Sequence, residues 1–290
     1  MNRRETLAGM ALSASLVATA QAADATKRVD IKGAVALVTG SNRGIGRGFV
    51  DVLLARGAKR VYATARNPKY LAELAALDKR VVPLELDVTN DAHRRAAAEK
   101  AQDLTMLINN AAYPGSDKDG ERRFLSATNL DDIKRSMDTN CWSPAELARL
   151  FIPIILKNGS PGKVGAVLNI LSGGALFCLP EFTSYSTSKA AEMMMTAGLR
   201  AETDRMPILI ASVFTGGVQT RALPVGATTA ATPVDHANEV FDAIAQGHST
   251  IFPSTGPVNM RQRICEDPDG FERRIIDRFH TNPVKIAPYE

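Results

Sequence analysis

The 290-residue chain has few of the residues that build disulfide frameworks or metal sites. It contains three cysteines, an odd number, and four histidines, all far apart in sequence. Cys141, Cys178 and Cys265 therefore do not predict a disulfide framework, and no spacing of His or Cys predicts a metal site. We expect the cysteines to be buried thiols and the histidines to have surface or packing roles.

The chain also lacks a strong charge of one sign and a long apolar run. Its formal net charge is +4 and its basic residues are scattered, so the sequence does not indicate a nucleic-acid partner. With 45% hydrophobic and 23% charged residues, the part after Ala22 suits one large α/β domain. The mildly apolar run at 7–20 is too short for a stable membrane anchor.

Residues 1–22 have the features of an export signal. Arg3 and Arg4 precede the apolar run, and Ala20-Gln21-Ala22 offers small residues for cleavage. Paired arginines before a weakly hydrophobic segment are typical of the twin-arginine signal, by which bacteria export folded proteins. We expect a mature chain that begins at Ala23 and lies in the periplasm or otherwise outside the cytoplasm. The alternative is an uncleaved, disordered N-terminus on a cytoplasmic protein.

A glycine-rich turn follows the first predicted strand. The apolar run at 34–39 leads directly into Gly40-Ser41-Asn42-Arg43-Gly44-Ile45-Gly46, and a helix with one apolar face follows. Glycines in such a turn allow a tight bend, close approach of the backbone to a pyrophosphate, and close packing of helix on strand. The N-terminus of the helix is an anion site. The pattern therefore predicts a dinucleotide-binding fold.

The second informative stretch is Tyr185-Ser186-Thr187-Ser188-Lys189, within a predicted helix that continues to Leu199. Tyr185 and Lys189 are one turn apart and share a face. An ammonium beside a phenol favours the phenolate, which allows the phenol to exchange its proton closer to neutral pH. Ser172 ends an apolar run, and a strand ending there would place its hydroxyl beside the phenol. Taken alone, the Tyr/Lys spacing also fits an ordinary amphipathic pair.

Together, the Gly-x-x-x-Gly-x-Gly turn and the Ser172, Tyr185 and Lys189 set resemble the short-chain dehydrogenase/reductase family over about residues 32–253. The resemblance implies that Tyr185 donates a proton, that Ser172 bonds the substrate oxygen, and that Lys189 assists Tyr185 and holds the nicotinamide ribose. It also implies a fourth catalytic residue, Asn140, in a helix expected at 131–140. The amide of Asn140 would hold a water that passes protons from Lys189 to solvent.

The resemblance implies a single Rossmann-fold α/β domain at 23–256, with a predominantly parallel, doubly wound sheet and helices on both faces. Residues 257–290 would form a C-terminal extension packed on this domain or at a subunit interface. The protein would be a homodimer or homotetramer. We expect further strands at 60–65, 81–86, 104–108, 164–171, 208–214 and 249–253, and Pro83 favours an edge position for its strand.

The end of the second strand bears on the choice of cofactor. Family members that bind NAD usually carry an acidic residue there, whereas this chain has Ala65 followed by Arg66. Arg66 and Arg43 would bracket the adenosine 2′-phosphate, which favours NADP(H) over NAD(H). The alternative is that both arginines are solvated surface charges. Beyond the glycine turn, Tyr185 and Lys189, the resemblance assigns cofactor contacts to Asp87, Val88, Asn110, Val218 and Thr220.

The predicted reaction is reversible hydride transfer between NADP(H) and the carbonyl or alcohol carbon of a small, apolar substrate. Phe177, Phe182 and Phe214 flank the catalytic positions and would line an apolar pocket, or would instead pack in the core. A short stretch at 220–232 stands where relatives carry a substrate lid. The alternative function is a non-catalytic NADP(H)-binding sensor, although such a protein usually loses the tyrosine or the lysine.

Overall fold

The structure is a computed structural model, and it describes residues 23–116, 120–159, 163–220 and 230–284. The predicted export signal at 1–22 and most of the lid stretch, 221–229, lie outside the described residues. Within the described ranges, no helix is long and apolar enough to cross a membrane.

The described chain forms one seven-stranded sheet in which every paired strand is parallel. The strand order is β3-β2-β1-β4-β5-β6-β7. This order confirms the predicted doubly wound Rossmann sheet, and Pro83 lies in the edge strand as predicted. The strands are β1 (Val35–Val38), β2 (Arg60–Ala65), β3 (Val81–Glu85), β4 (Met106–Asn109), β5 (Gly165–Ser172), β6 (Ile208–Thr215) and β7 (Thr250–Ile251).

Helices connect the strands and cover both faces of the sheet. They are α1 (Gly44–Ala55), α2 (Ala72–Leu77), α3 (Asp91–Lys100), α4 (Asp131–Met137), α5 (Ser143–Asn158), α6 (Thr183–Glu202), α7 (Pro233–Ala245), α8 (Thr255–Glu266) and α9 (Pro268–Thr281). A π-helical turn, Asp138–Trp142, joins α4 to α5. The helix expected at 131–140 is therefore interrupted, because its last residues take the wider π geometry.

The central strands are apolar on both sides because each face of the sheet is covered by helices. Along β1, all four residues are buried, and successive side chains enter opposite cores. Ala36 and Val38 pack with Phe49 of α1 and Phe241 of α7 in one core. The other core contains Val35 and Leu37 of β1 and also includes Phe151 of α5.

The strand order reverses between β1 and β4, which are hydrogen-bonded neighbours. Connections leave these two strands toward opposite faces of the sheet, so a crevice opens at their carboxyl ends. The glycine turn follows β1, Asn110 follows β4, and Ser172 ends β5. The fold thereby brings three of the predicted site segments to one edge of the sheet.

Two of the three thiols differ from the sequence prediction. Cys141 is buried, but Cys178 and Cys265 are exposed, so the expectation of buried thiols is wrong for that pair. The reason is their position: Cys178 lies in the connection between β5 and α6, and Cys265 lies near the end of α8.

Candidate active site

Ser172 is the last residue of β5, where the buried strand reaches the edge of the sheet. Its Oγ accepts a hydrogen bond from the Gly174 N–H at 3.2 Å, which caps the short 3₁₀ turn Gly173–Ala175. That bond turns the O–H proton away from the backbone amide. The hydroxyl can therefore donate to a group in the crevice at the carboxyl ends of the strands.

Tyr185 lies in the first turn of α6, beside the Ser172 turn. A Cβ added to Gly174 would lie 3.6 Å from Ser172 Oγ and 3.8 Å from Tyr185 Cδ1. The two side chains therefore flank the same glycine. Tyr185 is half-buried.

Lys189 lies one turn after Tyr185 on α6, and its side chain is 2% exposed. Its Nζ is 6.0 Å from the centroid of the Tyr185 ring and donates to the Ile170 carbonyl oxygen at 2.8 Å. Burial by itself would lower the pKa of the ammonium, but the charge and hydrogen bond of Glu192, together with smaller contributions from Tyr185 and Cys141, hold the Lys189 pKa above its ordinary value. Lys189 is therefore a fixed cation beside the phenol.

Glu192 is a site residue that the sequence prediction missed. Its Oε2 accepts a hydrogen bond from Lys189 Nζ at 2.6 Å, and its side chain is 1% exposed. The only signal in the sequence is the spacing of three residues on one helix, which far more often marks a solvated ion pair. Burial raises the pKa of Glu192 to about 7, while the Lys189 charge opposes that rise.

Asn140 lies in the π turn and is fully buried. Its Oδ1 accepts from the Tyr113 N–H at 2.7 Å, and its Nδ2 donates to the Tyr113 carbonyl oxygen at 2.8 Å and to Ser188 Oγ at 2.9 Å. The side-chain amide thus joins the segment after β4 to α6, between Tyr185 and Lys189. Its predicted role in holding a relay water stays a prediction.

Asp132, a second residue that the sequence prediction missed, fixes the start of α6. Its carboxylate accepts from Tyr113 O–H at 2.7 Å, from the Ser116 N–H at 2.6 Å and from Ser184 Oγ at 2.8 Å. Ser184 immediately precedes Tyr185. The buried carboxylate therefore ties α4 to the residue that positions the phenol.

The glycine turn is fastened to the end of β4. Asn110 Nδ2 donates to the carbonyl oxygens of Thr39 and Gly40, at 2.8 and 3.2 Å. Gly40 has a φ of 63°, a conformation that favours glycine. A Cβ on Gly46 would overlap the Gly40 carbonyl oxygen, so helix and turn pack together only without one. Asn110, predicted to contact cofactor, therefore also shapes the turn.

The first residues of α1 lie where the sequence predicts an anion site. Arg43 is the N-cap residue, exposed and without a side-chain capping bond, and Asn42 and Ile45 are half-buried beside it. Gly44 has a φ of 56°, and a Cβ there would lie 3.2 Å from Thr220 Cγ2. The backbone N–H groups at this helix start suit an anion.

Ser41, also predicted to bind cofactor, is fully buried. Its Oγ donates to the Thr64 carbonyl oxygen at 3.2 Å and accepts from the Thr64 N–H at 2.7 Å. The hydroxyl therefore joins the glycine turn to β2. The sequence alone does not tell whether a small polar residue in such a turn binds a ligand or, like Ser41, holds the turn to a neighbouring strand.

The carboxyl ends of β2 and β3 carry Arg66 and Asp87. Arg66 is exposed, and it follows the buried Ala65. Burial alone would raise the pKa of Asp87, but hydrogen bonds from Thr89 and the charges of Arg66 and His93 hold that pKa below its ordinary value. The next residue, Val88, is buried. Arg66 and Asp87 are thus neighbours at the edge where the adenosine end of a dinucleotide is predicted.

Val218 and Thr220 follow β6 and reach the glycine turn from the other side. Val218 is buried and forms an isolated parallel bridge with Ala231. Thr220 lies against Gly44. The structure therefore brings the predicted cofactor residues after β1, β4 and β6 to one region, and it places Arg66 and Asp87 at the carboxyl ends of the neighbouring strands β2 and β3.

Of the three predicted pocket phenylalanines, two pack in the core. Phe214 stacks on Phe252, with ring centroids 4.9 Å apart, and Phe182 is buried beneath the Arg122 guanidinium. Phe177 is half-buried and meets Phe271 of α9 edge to face at 5.3 Å. The C-terminal extension thus packs on the segment between Ser172 and Tyr185.

The extension also approaches the catalytic strand end directly. A Cβ on Gly173 would lie 3.7 Å from Met260 Sδ of α8 and 4.0 Å from Phe177. Met260 and Phe177 therefore form an apolar wall next to Ser172. The described residues contain no cluster of three or more His, Cys, Asp or Glu side chains that could hold a metal ion.

Comparisons with known proteins point to one family. Residues 34–227 match the model of the family described as short chain dehydrogenase. A short-chain dehydrogenase of Penicillium crustosum is 32% identical over 193 residues, which cover 63% of this chain and 65% of that protein. For three fungal curated relatives the match spans 39%, 65% and 62% of the relative, so the chain spans less than two thirds of each.

Two solved structures extend the comparison. A short chain dehydrogenase from Burkholderia cenocepacia, in complex with NADP, has a TM-score of 0.76 and 32% identity, and the match covers 86% of this chain and 99% of that one. An NADPH-bound carbonyl reductase from chicken fatty liver has a TM-score of 0.66 and 27% identity, with 78% and 97% covered. Because the family model matches more than half of its residues, the chain belongs to the short-chain dehydrogenase family.

Proposed function

We propose that the protein is an NADP(H)-dependent oxidoreductase that interconverts a carbonyl and an alcohol on a small, apolar substrate. The observation that carries this proposal is the convergence of Ser172, Tyr185 and the buried Lys189 at the carboxyl end of β5. A fully buried lysine is costly to desolvate, and structures keep one where its charge is used. Family membership supports the same reaction class.

Each of the three residues has a distinct chemical role. Tyr185 gives its hydroxyl proton to the carbonyl oxygen of the substrate during reduction and recovers a proton afterwards. Ser172 donates a hydrogen bond to the same oxygen, on which negative charge grows in the transition state. Lys189 favours the phenolate that Tyr185 leaves behind, because its ammonium is fixed next to the ring.

The residues around the glycine turn fit a dinucleotide. No side chain caps the first turn of α1, so its backbone N–H groups are offered to a pyrophosphate. Because Gly44 and Gly46 lack a Cβ, Thr220 packs close to Gly44 and the Gly40 carbonyl oxygen packs close to Gly46. Asp87 and Val88 would hold the adenine end, and Val218, Thr220 and Lys189 the nicotinamide end. When bound, the cofactor supplies or accepts the hydride.

The preference for NADP(H) rests on charge at the end of β2. Arg66 and Arg43 are both exposed, and Ala65 offers no carboxylate to bond the ribose hydroxyls. Guanidinium groups bind phosphate through charge-assisted hydrogen bonds. The NADP and NADPH present in the two solved relatives support the same preference.

An apolar substrate is supported by the wall beside Ser172. Met260 and Phe177 lie against Gly173 and present a thioether and an aromatic ring. Ligand sites combine such apolar walls with a few placed polar groups, which Ser172 and Tyr185 supply here. Neither wall residue carries a charge that would select a charged substrate.

We also propose that the protein is a homodimer or homotetramer, as the family resemblance implies. Trp142 is 56% exposed and Met194 is 67% exposed, which leaves large apolar side chains on the surface of the π turn and α6. A subunit interface would cover side chains of this kind. Light scattering after size-exclusion chromatography tests the oligomeric state.

Turnover tests the proposed function. Purified protein is mixed with NADPH and a panel of aliphatic and aromatic ketones and aldehydes, and NADPH absorbance is followed with time. We expect loss of NADPH with at least one apolar carbonyl, and alcohol formed in equal amount. Tight NADPH binding without turnover on any member of a broad panel would favour the sensor alternative.

A further inference from the structure

Glu192 is the one carboxylate that touches a proposed catalytic residue in the described structure. Its Oε2 lies 2.6 Å from Lys189 Nζ, and the two side chains are 1% and 2% exposed. Its other oxygen, Oε1, is buried and has no hydrogen-bond partner among the described residues. A carboxylate that satisfies only one of its oxygens is an expensive group to bury.

Few charged groups lie near the Glu192 carboxylate in the described structure. Lys189 faces it from α6 itself, and the thiol of Cys141 faces it from the π turn. Burial raises the pKa of Cys141 to about 11, with a smaller contribution from the Glu192 charge, so this thiol stays neutral. β5 adds no charged group here: the Ile170 carbonyl oxygen accepts from Lys189, and Asn169 is a neutral amide that donates to Thr196 Oγ1 at 2.8 Å. Lys189 is therefore the one cation that faces Glu192 in the described region.

The ion pair limits what Lys189 can do. One N–H is held by the Ile170 carbonyl oxygen and one by Glu192, so the direction of the third is fixed. The carboxylate also reduces the electrostatic effect of the Lys189 ammonium on the Tyr185 ring. The Glu192 carboxylate offsets part of the Lys189 charge. Lys189 therefore stabilises a negative charge on the Tyr185 oxygen less than an unpaired ammonium would.

We propose that Glu192 is a positioning residue for Lys189, and that its negative charge opposes ionisation of the Tyr185 phenol and so favours carbonyl reduction. The inference rests on the proposed oxidoreductase function. Reduction needs the protonated phenol, so its rate falls as pH rises and the phenol ionises. With Glu192 charged, the decrease in the reduction rate occurs at a higher pH.

The buried carboxyl changes charge in the neutral range, since burial raises its pKa to about 7. As pH rises through that value, Glu192 becomes negative and resists ionisation of Tyr185. Titration of the pair is therefore coupled, and the pH profile reports on both groups together. This coupling needs the contact between Glu192 and Lys189, and it is lost when the carboxylate is replaced.

The test compares pH profiles of kcat/KM for NADPH-dependent reduction in four variants and the wild type. Glu192→Gln keeps the shape and removes the charge, and Glu192→Leu removes it with an apolar side chain in case the amide is not tolerated. Glu192→Asp keeps the charge on a shorter arm. Asp103→Asn is the matched control, because it removes a carboxylate that pairs with Arg60 at the amino ends of the strands, away from the site.

We expect the alkaline limb to move to lower pH by about one unit in Glu192→Gln and Glu192→Leu, a tenfold change in proton concentration. In Glu192→Asp the limb stays near that of the wild type, while the rate falls by about tenfold because Lys189 is held less well. The profile of Asp103→Asn overlays the wild type. If the alkaline limb of kcat/KM stays at the wild-type pH in each of Glu192→Gln and Glu192→Leu that folds, the proposal is overturned.

A measurement without turnover separates this proposal from the proposed function. Tyrosinate absorbance is titrated with and without Tyr185→Phe in the wild-type and Glu192→Gln backgrounds, and the difference isolates Tyr185. We expect the phenol to ionise at lower pH in the Glu192→Gln background. Equal titration in both backgrounds would contradict the role of Glu192, whereas a wild type that titrates as expected but reduces no carbonyl would contradict only the oxidoreductase function.

Discussion

Arg278, near the end of α9, donates hydrogen bonds to both carboxylate oxygens of Glu181, at 3.2 and 3.1 Å. The Glu181 side chain is 7% exposed, and its Oε1 also accepts from the Val284 N–H at 2.6 Å. Glu181 lies four residues before Tyr185, in the turn that leads into α6. The ion pair therefore fastens the C-terminal extension to the segment that carries the predicted proton donor.

Breaking this pair should loosen the apolar wall of the proposed substrate site. We expect Arg278→Ala to raise KM for an apolar carbonyl by about tenfold and to lower the free energy of unfolding by about 1 to 3 kcal/mol, since Glu181 is left buried without its cation. The dissociation constant for NADPH should not change. Arg274→Ala is the matched control, because Arg274 also lies on α9 and pairs with Asp267, the exposed N-cap residue of that helix. Equal effects of the two variants on KM would contradict the account.

We predict that cofactor preference depends on the charges at the end of β2. Losing one charge-assisted bond to the 2′-phosphate costs about 1.5 to 3 kcal/mol, so Arg66→Ala should weaken NADPH binding by roughly tenfold or more and leave NADH binding nearly unchanged. Adding Ala65→Asp to Arg66→Ala should shift the preference to NADH, because a carboxylate bonds ribose hydroxyls and repels phosphate. Fluorescence titration with both cofactors measures the effect.

The control for cofactor preference is Lys69→Ala, which removes an exposed cation three residues further along the chain. It should bind both cofactors as the wild type does. A wild type that prefers NADH, or an Arg66→Ala variant that weakens both cofactors equally, would show that Arg66 and Arg43 are surface charges.

Export is proposed on the first residues alone, which lie outside the described structure. Arg3 and Arg4 before a weak apolar run, with Ala20-Gln21-Ala22 after it, lead us to expect a mature chain that begins at Ala23 outside the cytoplasm. Fractionation of a bacterial host and N-terminal sequencing of the protein test this, with Arg3→Lys plus Arg4→Lys as the variant that should block export. An intact cytoplasmic chain in the wild type would count against it.

Stability at low pH should depend on His236. The residue is 1% exposed, its ring meets Phe49 edge to face at 5.9 Å, and burial lowers its pKa to about 4, from an ordinary value of 6.5. A folded-state pKa below the unfolded one gives stability that is fully present above 6.5 and lost as pH falls through about 4. That contribution is about 3 kcal/mol.

Urea unfolding at a series of pH values measures this contribution. His236→Leu should remove most of the loss of stability on acidification, whereas His280→Leu, at an exposed position in α9, should leave it unchanged. An unfolding free energy of the His236→Leu variant that falls with pH as steeply as that of the wild type would show that other groups cause the acid sensitivity.

Much of the fold is predictable from local patterns. The glycine turn between an apolar run and a helix predicts a Rossmann unit, and β2 has the predicted bounds of 60–65. Each buried strand of a parallel sheet is a short apolar segment, and its flanking turns mark where it ends. The convergence of Ser172 and Tyr185 follows because one residue ends a strand and the other begins the next helix.

The rest depends on packing that no local pattern reports. Glu192 lies in an Ala- and Met-rich helix, and only the tertiary structure shows that its face is buried against the π turn. The π geometry at Asn140 has no sequence signature, and it interrupts a helix that the pattern predicts as continuous. Ser41 uses its hydroxyl for Thr64 because β2 lies alongside the turn, a proximity that is set by the sheet order.

The central claim is that Tyr185 is the proton donor of a reductase. We predict that Tyr185→Phe abolishes carbonyl turnover while NADPH binds with an unchanged dissociation constant, since the ring remains and only the hydroxyl is lost. Lys189→Met should impair both turnover and NADPH binding, because we propose that Lys189 assists the phenol and holds the nicotinamide ribose. The most direct measurement is the single-turnover rate of Tyr185→Phe with saturating NADPH and an active carbonyl. A loss of about a thousandfold or more is the predicted result, and a rate within about tenfold of the wild type would contradict the account.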